Sequence, residues 1–307
     1  MNCHLVPKVY LKPWKISSSS NGIYVFDKTF WNKAGTQKNI CNLSDTSFAF
    51  KNYYVLDETN PSHQFALRNT PNLSEKEKHI IETDYFANKV ERNWKTFLNY
   101  VNSTLMNKKV IKIAESYKSE FLEFFAIQFF RKVENFKWLI MDNILDTVDD
   151  MLVDGKLTAN ERMNTTDSLF FNALLKQSKG ERNHINTMIE VFGCDFQIMF
   201  LFSNGNTSFI TSDNPCFYYN ALNEKCAGTY MPINKKVCAY LVKPKVVQES
   251  KYLIVDISEN NTKYINKLIS DHSITSLGYD SADIGNLFEA NFNEREWTTS
   301  MTKVLLA

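Results

Sequence analysis

The sequence predicts an α+β fold: a mixed sheet built from the N-terminal and C-terminal thirds, with a central helical subdomain between them. Three observations carry this. Short β-branched and aromatic runs, bounded by Asn, Gly, Ser and Pro, occur before residue 73 and again after 195. Between 74 and 194 the apolar residues recur at helical spacing instead. Strands segregated from helices in this way read as α+β. The organisation expected is an N-terminal β-rich part of the core at 1–73, a helical insert at 74–194, and a C-terminal β-rich part of the same core at 195–307, forming one compact unit.

In the first part, Asn21-Gly22 precedes IYVF, where Tyr24 and Phe26 alternate with Val25, so a short strand is expected there. FAFKNYYVL at 48–56 is a second strand candidate, and the serine run at 17–20 is a loop. The helical part opens at Ser74-Glu75-Lys76-Glu77, with Asn72 or Ser74 as N-cap and Glu77 three residues after Ser74. Val110, Ile113, Tyr117, Phe121, Phe124, Phe125 and Gln128 then form a stripe at helical spacing. Trp138, Leu139 and Ile140 begin another segment, and Gly155 and Gly180 punctuate the remainder. In the last part FQIMFLF and TSFIT flank Ser203-Asn204-Gly205-Asn206, and Asn-Gly between two apolar runs predicts a hairpin. Further strands are expected at TYMPI, VCAYLV and KYLIVDI, with a final helix over 261–270.

Bulk properties exclude more than they identify. With 307 residues, 44% of them hydrophobic and 14% aromatic, the chain can build a core without disulfide or metal staples. Thirty-five Lys and Arg against 34 Asp and Glu leave a net charge of +1, so no global field draws the protein to nucleic acid or an anionic membrane. The six cysteines, Cys3, Cys41, Cys194, Cys216, Cys226 and Cys238, show no C-x-x-C spacing and read as reduced thiols. Lys8, Lys12 and two prolines interrupt the N-terminus where a signal peptide needs an apolar run. No stretch approaches the roughly 20 apolar residues of a membrane span. The expected address is the cytoplasm, with no membrane partner, and sequons such as Asn102-Ser103-Thr104 read as a by-product of Asn-rich composition.

Several polar residues stand out, each with a bland reading beside the functional one. Ser212-Asp213-Asn214 matches the S-D-N element of penicillin-recognising serine enzymes, but S-x-x-K occurs only at Ser300–Lys303, on the wrong side, and K-T-G is missing. The bland account is an Asx-turn from Asp213 or Asn214, ended by Pro215. His4 is a candidate general acid or base, although a lone histidine in an apolar segment is more often structural. His63, His79, His184 and His272 have no partner at ligand spacing, and no zinc site is expected. Gln128 and Arg131 lie three apart on one helix, so their side chains are neighbours. Gln128 continues an apolar stripe, and a buried amide there requires a hydrogen-bond partner. Arg131 suits a carboxylate or phosphate, or merely an ion pair with Glu134. Glu91, in KVERNW, either lines a site or is solvated. There is no phosphate-binding glycine loop and no G-x-S-x-G.

Six segments in preserved order resemble a known family. They are His4-Leu5-Val6-Pro7 running on to Trp14, Tyr24-Val25-Phe26-Asp27-Lys28, Asn52-Tyr53-Tyr54, Ala126-Ile127-Gln128-Phe129-Phe130-Arg131, Ser212-Asp213-Asn214-Pro215 and Met231-Pro232-Ile233. Together they resemble the bacterial domain-of-unknown-function 4238 family. The chain departs from that pattern at Trp14, where Phe is usual, and at Asn234, where Ser-Pro is common after Pro232-Ile233. The resemblance names no reaction. It implies that His4, Gln128, Arg131 and Asp213 belong to a recurring pattern.

Polar residues brought together from such distant segments usually form a site, although for Ser212-Asp213-Asn214 alone the turn is the favoured reading. Their types suit an anionic or phosphorylated small molecule, or nucleic acid. Arg131 would neutralise charge, His4 transfer a proton, and Asp213 orient His4 or hold a divalent cation. Ser212, Asn214, Gln128, Glu91 and Tyr54 would line the substrate. The sharpest expectation is a phosphoester- or nucleotide-directed hydrolase, nuclease-like in substrate class. The alternative is a nucleotide- or partner-binding sensor without catalysis, of the kind found in toxin or phage-defence systems, in which Tyr53, Tyr54, Tyr218 and Tyr219 supply stacking surfaces. A third is a polar cluster that merely locks the helical insert to the sheet.

Overall fold

The computed structural model describes residues 2–4, 6–27, 38–43, 49–68, 72–107, 115–130, 159–219, 228–242, 253–273 and 276–279. The N-terminal part supplies β1 (Asn2–His4), the short helix α1 (Lys8–Leu11), β2 (Gly22–Asp27), β3 (Lys38–Asn42) and β4 (Ala49–Lys51). Helices follow, with no strand among the described residues: α2 (Gln64–Arg68), α3 (Glu75–Lys78), α4 (Glu91–Tyr100), α5 (Glu115–Phe130), α6 (Ala159–Ser178) and α7 (His184–Asp195). The C-terminal part adds β5 (Gln197–Ser203), β6 (Thr211–Ser212), β7 (Phe217–Tyr219), β8 (Gly228–Pro232), β9 (Val237–Val242) and β10 (Leu253–Ile257). Helix α8 (Glu259–His272) and β11 (Ser276–Tyr279) complete it.

The fold is α+β, and the strands sort into three sheets. A four-stranded antiparallel sheet, ordered β3-β2-β11-β6, joins the two ends of the chain. A five-stranded sheet, ordered β10-β5-β9-β8-β7, comes entirely from the C-terminal part and is mixed, because β10 runs parallel to β5. Strands β1 and β4 form a separate pair. The mixed sheet and the sheet that unites the termini are therefore different sheets. All seven residues of β5 are buried, as expected of a strand covered on both faces. Phe97 of α4 and Phe121 of α5 cover it by packing on Phe200.

Local sequence explains most of the helical elements. Ser74 caps α3 through the reciprocal box with Glu77, and Gly180 follows α6 with φ of 76°. Helix α4 is flanked by wider i→i+5 turns over Ile81–Val90 and Val101–Leu105. Ile81, Tyr85, Phe86 and Val90 are buried, a spacing broader than the 3.6 residues of an α-turn, and the wide turn brings them onto one face. In α5 every residue from Phe124 to Phe130 is buried, so this helix runs through the core rather than along it.

Two expectations fail for identifiable reasons. Asn204-Gly205 does not close a hairpin: left-handed backbone among the described residues falls at Asn52, Asn72 and Gly180, and neither residue takes the positive φ of a type I′ turn. TSFIT instead leaves the sheet. The buried Asn266 of α8 accepts from the Ile210 N–H at 3.0 Å and donates to the Ser208 carbonyl at 2.9 Å, replacing strand pairing. FAFKNYYVL is a strand only over Ala49–Lys51, because Asn52 turns left-handed with φ of 57°. The segment from Trp138 and the Gly155 break lie outside the described residues, as do Val110 and Ile113.

Candidate functional site

Ser212 ends β6 in the four-stranded sheet and Phe217 begins β7 in the five-stranded one. Asp213-Asn214-Pro215-Cys216 is therefore the crossover between the two sheets. Proline has no N–H to extend the ladder, which explains the abrupt strand end. Ser212 closes the turn through its Oγ, which accepts from the Asn214 N–H at 3.1 Å. Asn214 donates its side-chain amide to the His272 carbonyl at 3.0 Å, tying the turn to the last residue of α8. Cys216 points its thiol at the Phe125 carbonyl at 3.8 Å, which sets the crossover against α5. Burial pushes that thiol's pKa well up, so it stays a protonated donor.

The N-terminal segment reaches the same junction. Tyr10 donates to the Pro232 carbonyl at the end of β8, and its hydroxyl receives the Thr211 hydroxyl of β6 at 3.4 Å. Its ring packs on Trp14, Trp94 and Phe124. Trp14 donates its indole N–H to the Phe209 carbonyl at 2.8 Å, a bond that a phenylalanine at this position could not make. Asn234, the other departure, accepts from the Lys236 and Val237 N–H groups at 2.8 Å and so closes the turn between β8 and β9.

Gln128 lies on α5 one turn beyond Phe124 and Phe125, the residues that touch Tyr10 and Cys216. It is 2% exposed, and among the described residues neither its carbonyl nor its amino group has a hydrogen-bond partner. Asn214, committed through its amino group, leaves Oδ1 buried and bare. Each such group costs about 1–3 kcal/mol relative to a satisfied one. Asp213 is half-buried between them in sequence.

The other candidates divide. Glu91 starts α4 one turn before Trp94, whose indole stacks on Phe124 at 3.8 Å, so it borders the same helix pair. Tyr54 is fully buried, edge-on to Tyr53 and Phe86, and presents no face to an incoming molecule. Ser212 is equally buried and already accepts a bond within its turn. His4 pairs through β1 with Ala49 of β4; its side chain lies outside the described residues, as does Arg131. Six residues separate His4 from Tyr10, about 20 Å of extended chain at most.

Two histidines acquire partners that spacing could not reveal. His63 is buried beside a cleft of about 430 Å³ lined by Asp57, Glu58, Asn60 and Lys78. Its Nδ1 accepts from the Asp57 N–H at 3.0 Å, and its ring meets Phe171 edge-on. Burial lowers its pKa from 6.5 to about 4, against a smaller opposing pull from Asp57, so it is a neutral structural residue. His272 stacks on Phe217 with ring centroids 4.4 Å apart, stands edge-on to Tyr219, and directs Nδ1 to the Leu268 carbonyl at 2.8 Å. The stack continues through Tyr230 to Tyr240 across β7, β8 and β9.

Among the described residues, no three His, Cys, Asp or Glu side chains gather in a metal-ligand arrangement, and no helix is long and apolar enough to cross a membrane. Among the described residues, Cys194 and Cys238 are free thiols. Fold and junction together define an α+β protein whose two main sheets are hinged at a Ser-Asp-Asn-Pro crossover clamped by α5 and α8. The chain belongs to the family described as protein of unknown function (DUF4238), whose model matches residues 2–283. No curated protein and no solved structure matches it.

Proposed function

We propose that this protein is a phosphoester- or nucleotide-directed hydrolase, nuclease-like in substrate class, with its site where the Ser212–Pro215 crossover meets α5. The observation that carries the proposal is Gln128, a core amide with both hydrogen-bonding groups bare. A side chain left in that condition costs stability, and Gln128 differs from the equally bare Asn261 in lying one turn from the α5 residue that touches the crossover. An amide offers one donor and one acceptor side by side, and this pairing suits the polar edge of a nucleobase. Arg131, three residues on in the sequence, is the sequence's candidate to meet the phosphate. Asp213, half-buried at the crossover, would hold a divalent cation or orient the proton-transfer group, and His4 is the sequence's candidate for that group.

The test is turnover of a defined panel: bis(p-nitrophenyl) phosphate, ATP, GTP, and single-stranded DNA and RNA oligonucleotides, each with and without Mg²⁺ or Mn²⁺. Wild-type protein should hydrolyse at least one, and Asp213→Asn should lose that turnover while keeping its circular dichroism spectrum and melting temperature. Binding without turnover in both forms would support a sensor instead, with the half-exposed Tyr218 and Tyr219 available for stacking.

A further inference from the structure

We infer that His272, at the C-terminal end of α8, is the proton-transfer group of the crossover site, a role for which the sequence offered His4. The inference rests on the hydrolase reading above and assigns its base.

Three observations carry it. First, His272 belongs to the crossover: its carbonyl takes the Asn214 side-chain amide at 3.0 Å, and its ring stacks on Phe217, the first residue after the turn to enter β7. Second, its tautomer is fixed. A carbonyl oxygen can only accept, so the 2.8 Å contact from Nδ1 to Leu268 requires the proton on Nδ1 and leaves the lone pair on Nε2. Third, the ring is held on two sides, face-on by Phe217 at 4.4 Å and edge-on by Tyr219 at 6.0 Å. The hydroxyl of Tyr219 is itself bonded to that of Tyr264 on α8 at 3.1 Å. An imidazole with one nitrogen anchored to backbone and the other open is the arrangement in which a general base is oriented by its second nitrogen. Among the described residues Nε2 has no hydrogen-bond partner, and the residue is half-buried rather than sealed in the core.

The step balances with water as the only co-reactant. The Nε2 lone pair takes a proton from a water molecule as that water's oxygen forms a bond to phosphorus. The phosphorus–oxygen ester bond breaks, and its electron pair leaves with the alkoxide oxygen. The imidazolium returns its proton to that oxygen, giving an alcohol and a phosphate and restoring neutral His272.

Two conservative variants separate catalysis from packing. His272→Phe keeps the stack on Phe217, and His272→Asn keeps a donor near the position of Nδ1; neither retains Nε2. Using whichever substrate of the panel the wild type hydrolyses, both variants should fold with wild-type circular dichroism yet lose roughly 10²–10⁴-fold in kcat, the range for a removed general base, with KM changed less than about threefold. Either variant keeping kcat within about threefold of wild type overturns the assignment. If His4→Ala abolishes turnover while His272→Asn does not, the hydrolase reading stands and the base is His4. An inactive wild type across the whole panel removes the hydrolase reading and this inference together. Nitrogen NMR of the neutral ring supplies a readout besides activity: the proton should sit on Nδ1, and finding it on Nε2 contradicts the geometry.

Discussion

Replacing Gln128 with Met should make the protein more stable and less functional. The side chain is 2% exposed in the stretch of α5 from Phe124 to Phe130 where every residue is buried, and among the described residues both its polar groups lack partners. Met has nearly the same length and no group that must be hydrogen-bonded. Two bare groups at about 1–3 kcal/mol each set the gain, and a volume-conserving swap costs less than about 1.5 kcal/mol. The net expectation is about 2–4 kcal/mol of added stability. Unfolding entropy of about 2.1 cal/mol/K per residue, over the whole chain, gives roughly 0.6 kcal/mol per degree near the midpoint, so Tm should rise by about 3–6 °C. Urea denaturation would show a higher midpoint at unchanged slope. Asn261→Leu is the control. Its amide is also buried and bare, but it sits in the first turn of α8, about 16 Å of helix from His272. Both variants should gain stability, and only Gln128→Met should lose turnover. A Gln128→Met protein that is less stable than wild type would mean that the chain itself satisfies the amide, and the argument for a ligand at this position would fall.

Further tests follow from His63 and Trp14. The folded pKa of His63 is lowered to about 4 while the unfolded chain titrates near 6.5, so on acidification the unfolded state takes up a proton first. Stability should therefore fall between pH 6.5 and 4 by about 2 kcal/mol after allowance for solvent screening, a slope that His63→Gln should remove; parallel urea midpoints for the two proteins across that window would refute the assignment. Trp14→Phe deletes the bond to the Phe209 carbonyl and leaves that oxygen buried without a donor. It should cost about 2–3 kcal/mol by urea denaturation, and a loss below about 0.5 kcal/mol would show that the indole contributes packing alone.

Elements with self-contained signals were legible in the sequence. VCAYLV is β9 residue for residue, KYLIVDI contains β10, and the Ser74–Glu77 box caps α3 as its spacing requires. The failures all involve distant partners. Asn204-Gly205 is a strong hairpin signal, but the backbone that would have paired is taken by Asn266, more than 50 residues later. The wide turns around α4 were hidden because their apolar residues follow neither the helical nor the strand period. Within the site, the burial of Gln128 was readable from its place on the Phe121–Phe125 stripe. The role of Ser212-Asp213-Asn214-Pro215 as a sheet-to-sheet crossover was not, because β6 finds its partner in β11, at the far end of the chain. His272 escaped for the same reason: its neighbours Asn214 and Phe217 precede it by more than 50 residues and carry no ligand-type spacing.

A crossover between sheets needs polar residues for its own sake, so polarity at 212–215 does not by itself distinguish a site from a lock. The proposed function makes a separate claim on the hydrogen-bond inventory. A lock should close every group it buries, since an open one costs as much as the bond it fails to make. Here Ser212, the Asn214 amino group and the Cys216 thiol are consumed in holding the turn to itself, to α8 and to α5. Asn214 Oδ1 stays open among the described residues, as do both groups of Gln128, one turn along α5 from Phe125. The surplus is two acceptors and one two-proton donor, which is the complement of a ligand edge carrying donors flanked by an acceptor. Three bonds hold the turn, and under the proposed function the open groups of Asn214 and Gln128 are those that a ligand would complete.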